Sequence, residues 1–377
     1  MSKRPPWIPT ASDVPKWKCV IHLRSRGPVM KRTTIGLDLA KQVFQLHSVD
    51  PDTGEITRQT LKRSQVLKHF ANRPVNLVAM EACGSAHYWA RELAKLGHEV
   101  RLIAAQFVRP FVKGNKTDAA DAQAIWEAAQ RPGMRLVAVK SEEQQAVLSL
   151  HRLRQQRVKM RSMLVNQLHG LMGEYGMALP KGWAVMLKQA AAALSEMPDH
   201  PIPELLRPAL LEQIQQVRVL SEQIKALERR IGAWQRRAED CQRIGAIPGV
   251  GLLTATAAIA TMGDARTFRS GREFAAFVGL VPRQSGTGGR VKLLGISKRG
   301  DHYLRTLLIH GARTVLNWQR QPGRELDPWL KELLARRAPN VVVVALANKM
   351  ARMIWALLAH RRTFQRDYRG AKATAAA

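Results

Sequence analysis

Between Thr33 and Ala129 the apolar positions follow two rhythms. TTIGLDLA (33–40) and VFQLHSVD (43–50) alternate with period two, and ITRQTLK (56–62) resumes the alternation after a turn, which predicts a hairpin closing on Asp52, Thr53 and Gly54. NLVAMEA, a helical stretch over SAHYWARELAKLG and then EVRLIA read as β-α-β units, so this region is expected to be an α/β domain with a mixed sheet. From Ser141 to Gln242 helix formers dominate. Val217, Leu220, Ile224, Leu227, Ile231 and Trp234 recur at steps of three and four, a heptad seam. Leu150, Leu153, Met160, Leu164 and Leu171 mark a weaker seam, interrupted by Arg157 and Gln167. Joined through Gly173, Gly176, Pro180 and Gly182, the two helices are expected to fold back antiparallel, their seams covered within the chain or by a second copy. From Ile244 to about Phe364 the pattern is helical again, with helices over 303–318 and 342–358. It is broken by Ile247-Pro248-Gly249-Val250-Gly251 and by a glycine-rich loop from Arg283 to Arg290.

The expected organisation is a disordered basic arm over 1–30, an α/β domain over 31–140, a helical coiled-coil region over 141–242, a mainly helical C-terminal domain over 243–364 and a tail over 365–377. Charge changes the picture most. The 377 residues carry 60 Lys and Arg against 29 Asp and Glu, a formal net charge of +31, which argues against an ordinary small-molecule enzyme and for a polyanionic partner. Cys19, Cys83 and Cys241 form no CxxC pair, so neither a disulfide framework nor a zinc site is expected and a reducing cytoplasm is the simplest compartment. No apolar run reaches the ~18 residues of a membrane span, the stretch Val341 to Ala347 reads as buried helix or strand, and residues 1–30 lack a secretory apolar core.

Four carboxylates stand out. Asp38 shares one strand face with Gly36, where a buried carboxylate is costly unless paired or metal-bound. Glu81 ends an apolar strand just before a Gly-Ser turn, the place where open α/β sheets put their sites. Asp118 and Asp121, at i and i+3, project from one helix face within reach of a shared cation, although Thr117 or Asp118 acting as a cap, with Asp121 complementing the helix dipole, explains the same letters. Hard oxygen donors of this kind suit Mg²⁺, and in a chain of +31 the completing substrate is a phosphodiester.

A second constellation lies in the C-terminal region. Gly249 and Gly251 match the hairpin of a helix-hairpin-helix element, whose backbone N–H groups approach a phosphate; a helix-start turn with Pro near its first position is the alternative. Arg283 and Arg290 flank Ser285 and Thr287, and Lys292, Lys298, Arg299 and Arg305 follow, a set that suits nucleic-acid binding. Composition does not decide whether Ser285 is a nucleophile, since no His stands beside it in sequence; Ser297 is its nearest competitor.

IGLDLAK, MEACGSAHYWA, VKGNKTDAADA, IPGVG, FVGLVPRQSGTGG and ISKRGDHYLRTLL, in this order over about residues 31 to 360, resemble the DEDD transposases of bacterial insertion sequences, the IS110 and IS1111 group, in which bridge-RNA-guided serine recombinases are known. The resemblance implies an RNase H-like (resolvase-like) N-terminal domain with Asp38, Glu81, Asp118 and Asp121 as a Mg²⁺-binding tetrad. It implies a coiled-coil insert used for oligomerisation, as a dimer or tetramer, and a C-terminal transposase domain whose nucleophile matches Ser285. It further implies a composite site, a covalent phosphoserine, donor and target DNA, and a structured non-coding bridge RNA, in a bacterial cytoplasm and at the nucleoid when acting. Two other readings stay open: a Mg²⁺-dependent junction-resolving nuclease that activates water, with Ser285 only contacting phosphate, and a scaffold without chemistry.

Overall fold

A computed structural model describes residues 32–113, 117–196, 201–288 and 290–365, so the basic arm over 1–30 and the tail after residue 365 lie outside the described residues. The chain divides into two compact units: Leu93–Met134 join the chain up to Glu81, and Ala82–Glu92 join everything from Arg135 onward.

The first unit is built on strands β1 (Thr34–Leu39), β2 (Val43–Val49) and β3 (Ile56–Lys62), helix α1 (Val66–Ala71), strand β4 (Leu77–Glu81), helix α2 (Ala86–Lys95), which spans the division, strand β5 (Glu99–Ile103), and helices α3 (Ala105–Val108) and α4 (Asp118–Ala129). Its strands lie in the order β3-β2-β1-β4-β5. β1, β2 and β3 pair antiparallel, while β1-β4 and β4-β5 are parallel, the mixed sheet that the alternation predicted. The hairpin closes as expected: the Asp50 carboxylate accepts from the N–H groups of Asp52 (2.9 Å) and Thr53 (2.8 Å), and Gly54 takes φ +75°. β1 and β4 sit centrally and bury Ile35, Leu37 and all of Leu77 to Met80. α4 buries mostly alanines, Ala122, Ala124, Ala128 and Ala129, beside Ile125, which lets its backbone come close to the sheet.

The second unit starts with a short strand β6 (Leu136–Val137). It continues with helices α5 (Glu142–Glu174), α6 (Trp183–Glu196), α7 (Arg207–Arg237), α8 (Glu239–Gly245), α9 (Leu252–Met262) and α10 (Gly271–Val278), a two-stranded ribbon β7 (Pro282–Ser285) and β8 (Lys292–Ile296), and helices α11 (His302–Gln319), α12 (Pro328–Arg336) and α13 (Pro339–Ala359). α5 and α7 run antiparallel: Arg154 meets Glu228 (2.7 Å), Arg157 meets Gln223 (2.8 Å), and Gln213 reaches the Leu164 carbonyl (3.1 Å). The heptad seam of α7 is covered within its own chain, because Val217, Leu220, Ile224, Leu227 and Ile231 are all buried. The α5 seam read from the sequence is corrected in part. Leu164 and Leu171 pack against the core beside buried Leu168 and Met172, but Leu153 and Met160 are 43% and 46% exposed, and Val147 and His151 are the buried residues of the first half. Polar residues hold that face because their partners are supplied. Thr256 Oγ1 donates to the Leu252 carbonyl (2.7 Å), so His151 Nε2–H donates to Thr256 (3.0 Å) and His151 Nδ1 accepts from the Tyr303 hydroxyl (2.9 Å). Burial pushes this imidazole down to about 4 and keeps it neutral as a pin between α5, α9 and α11.

Ile224→Asp is expected to destabilise the second unit by about 3 kcal/mol or more, through an unpaired buried charge, without first changing molecular mass. Thermal denaturation beside light scattering checks this; a loss of mass at unchanged melting temperature would assign the seam to a second copy. α13, the apolar stretch flagged at Val341 to Ala347, is long and apolar enough to cross a membrane, but it buries Val342, Ala347, Met350 and Ile354 in the C-terminal core.

Candidate functional site

Three of the four predicted carboxylates converge. Asp38, Asp118 and Asp121 each offer a ligand atom, and these atoms lie within 4.8 Å of one another. β1 brings Asp38 to the carboxyl end of the sheet and α4 brings the other two from above it. Thr117 caps α4, its hydroxyl accepting from the Ala120 N–H (3.2 Å), so neither aspartate is used as the cap and both stay in the first turn, where the helix dipole tempers their repulsion. Burial, then the charges of Asp121 and Asp118, push the Asp38 carboxyl up to about 6, while the Leu39 N–H works the other way. Glu81 stands outside the 4.8 Å group. Its strand is in parallel register with β1 through the pair Leu37–Met80, so it follows one position on at the same sheet end, and its charge adds the smallest push on Asp38. Three hard oxygen donors crowded at the cost of mutual repulsion fit a divalent cation.

What brings α4 so near to β1 escaped the sequence reading: Gly36. A Cβ there would collide with the Ala122 carbonyl oxygen and stand 2.7 Å from the Trp126 nitrogen. Below this contact Trp126 meets buried His47 edge to face, with ring centroids 5.6 Å apart. The signal was legible as a glycine inside a strand, a mark of close backbone approach.

In the second unit, the segment read as a loop from Arg283 begins as strand β7. Ser285 ends it, exposed, directly opposite Lys292 of β8. The next residue must be glycine, since the Arg290 carbonyl occupies the position a Gly286 Cβ would take. Ser297 is placed differently: its Oγ is buried without a hydrogen-bond partner among the described residues, and its N–H donates to the Val281 carbonyl (2.8 Å). Of the predicted nucleic-acid contacts, Gly251, Arg283, Arg290, Lys292, Lys298 and Arg299 are exposed. One is corrected. Arg305 is 6% exposed and donates to the carbonyls of Val278 (2.8 Å) and Arg299 (3.4 Å), tying the base of the ribbon instead of facing a ligand. Gly249 (φ +83°), half-buried, also packs closely in the α8-turn-α9 element, where a Cβ would stand 2.7 Å from the Gly311 carbonyl oxygen of α11.

Comparison with known proteins extends these observations. A family model described as "Transposase", of the DEDD IS110 type, matches residues 35–177, and one described as "Transposase IS116/IS110/IS902 family" matches residues 241–327. A "Probable family 20 transposase" of Pseudomonas aeruginosa is 52% identical over 337 residues, covering 89% of this chain and 99% of the relative. The chain belongs to the IS110 family of insertion-sequence transposases. The "Transposase for insertion sequence element IS1328" of Yersinia enterocolitica is 40% identical over 89% of this transposase and 99% of its own length. The "Transposase for insertion sequence element IS1111A" of Coxiella burnetii is 41% identical over 88% and 91%. The transposase is thus an enzyme that cleaves and recombines DNA, and its first matched segment contains the aspartate cluster, Glu81 and Gly36.

Proposed function

We propose that this transposase moves its element by Mg²⁺-dependent strand cleavage and exchange through a covalent phosphoserine, with Asp38, Glu81, Asp118 and Asp121 as the acidic tetrad of an RNase H-like domain and Ser285 as the nucleophile. The observation that carries the reading is the convergence of Asp38, Asp118 and Asp121 within 4.8 Å, at a sheet ordered β3-β2-β1-β4-β5. When bound, Mg²⁺ would supply charge for the phosphoryl oxygens. The chain's own residues do the rest. The aspartates would hold the cation, and Ser285 presents an exposed hydroxyl on a strand end that leads into the close Gly286 turn, with Arg305 tying the Val278 and Arg299 carbonyls at the base of the ribbon. Ser297, with its hydroxyl shut away from solvent, is unsuited to attack a phosphodiester. The charge of +31 and the family resemblance support donor DNA, target DNA and a guiding bridge RNA as partners, and the resemblance supports a homo-oligomer as the working form.

The test incubates the full chain with Mg²⁺, the RNA flanking its element and labelled donor and target DNA, followed by a denaturing gel. A protein-DNA adduct that is lost in Ser285→Ala and kept in Ser297→Ala is the expected result. Free ends without an adduct, unchanged in Ser285→Ala, would establish the water-activating nuclease instead, with the carboxylates as its whole machinery.

A further inference from the structure

We propose that Lys292 is a catalytic residue, its ammonium group seated beside the Ser285 hydroxyl to carry the charge that builds on the scissile phosphate. The inference rests on Ser285 being the nucleophile and answers the question that assignment leaves open, namely what stands beside a serine with no histidine neighbour. The strand register supplies the answer. Ser285 and Lys292 are directly opposed in the antiparallel β7-β8 ladder. Opposed residues project from the same face with Cβ atoms about 5 Å apart, which places a hydroxyl and an ammonium on one phosphate-sized patch.

Further features support Lys292 in this role. The ribbon from Pro282 to Ile296 contains no Asp or Glu, so nothing within it neutralises the ammonium. Both residues are exposed and open to a large substrate. The pair also sits at the closed end of the ribbon, next to Gly286, whose missing Cβ is replaced by the Arg290 carbonyl, whereas an irregularity between Pro282 and Gln284 disturbs the register on the Arg283 side. Arg290 belongs to the turn and, among the described residues, has no ladder partner to hold it opposite the serine.

The step balances without a separate base on the protein. The Ser285 Oγ–P bond forms, the bond from phosphorus to the departing DNA oxygen breaks, and the hydroxyl proton ends on that oxygen. Lys292 stays protonated throughout and faces the non-bridging oxygens, which gain charge as the attack proceeds. Loss of one such donor from a developing oxyanion lowers a rate by roughly 10²- to 10³-fold.

The measurement is the single-turnover rate of adduct formation by the full chain at saturating labelled donor DNA, with Mg²⁺ and the flanking RNA, alongside the DNA dissociation constant and a melting temperature. Lys292→Gln is expected to fold normally and to form adduct about 10²- to 10³-fold more slowly even at saturation, with Lys292→Arg restoring most of the rate. A Lys292→Gln protein that binds DNA less tightly but reacts at the wild-type rate once saturated would reduce Lys292 to a phosphate contact and overturn the proposal. Equal losses in Gln and Arg variants would overturn it too, since charge would then be irrelevant. If wild type itself releases free ends and no adduct, the Ser285 reading has failed first, and the result is recognisable as such before any Lys292 variant is compared.

Discussion

Asp38→Asn and Asp121→Asn are each expected to lower strand cleavage by roughly 10³-fold or more, because a bound divalent cation contributes several kcal/mol of charge stabilisation and each 1.4 kcal/mol is about tenfold. DNA binding should survive, since it draws on a chain of net charge +31 that these substitutions only make more positive. The cation itself provides a second readout. Burial and two aspartate neighbours hold the Asp38 carboxyl up to about 6, so below that pH a proton occupies the group and must leave before a cation binds. Affinity for Mn²⁺ or Mg²⁺ is therefore expected to fall as pH drops through 6, approaching about tenfold per further unit, and to be steady above it. Calorimetric titration at several pH values checks the sign. In Asp38→Asn the dependence near pH 6 should vanish along with most of the affinity. A wild-type affinity that rises as pH falls, or an Asn variant with full activity, would remove Asp38 from the centre.

Much of this centre was legible because its signals are local. Period-two alternation put Asp38 and Gly36 on one strand face, and i, i+3 spacing put Asp118 and Asp121 on one helix face, so only their meeting needed the fold. The α7 seam was equally plain, yet its partner was not, since a heptad pattern states that a stripe must be covered and not by what. Here α5 packs along it with Arg154 reaching Glu228 of α7, while His151 of the same helix turns to Thr256 of α9 and Tyr303 of α11, polar residues that a hydrophobic pattern cannot nominate and that work because their partners await them. Arg305 misled for the complementary reason. In the string of basic residues it looks like its exposed neighbours, and only the tertiary positions of the Val278 and Arg299 carbonyls turn it inward. The β7-β8 ribbon was hidden by its own glycines, which read as a loop, although Pro282–Ser285 and Lys292–Ile296 are short strands on either side of a turn. Reading the glycine run as a hairpin turn would have put Lys292 across from Ser285 in advance.

Gly36→Ala is expected to damage the metal centre without touching a ligand. One added methyl would collide with the Ala122 carbonyl and stand 2.7 Å from the Trp126 nitrogen and 2.8 Å from its Cβ. None of these atoms is the free end of a flexible side chain, so the relief available is for α4 to move off β1, and α4 carries both Asp118 and Asp121. Overpacking of this kind costs about 1–3 kcal/mol of stability. The effect on the cation should be larger in proportion, because donors within 4.8 Å of one another have little distance to lose before one of them drops out. Misplaced supporting contacts around metal ligands weaken binding by about 10- to 100-fold, and a loss in that range for Mn²⁺ is the expected result, measured under conditions where circular dichroism reports a folded protein. Ala122→Gly serves as the control. It trims the same helix surface without adding an atom between helix and strand, so its cation affinity should stay near wild type while stability falls by roughly 1 kcal/mol. If Gly36→Ala were folded and bound the cation as wild type does, the α4–β1 spacing would not be what sets the site, and the small residues of α4 would have to be explained by packing alone.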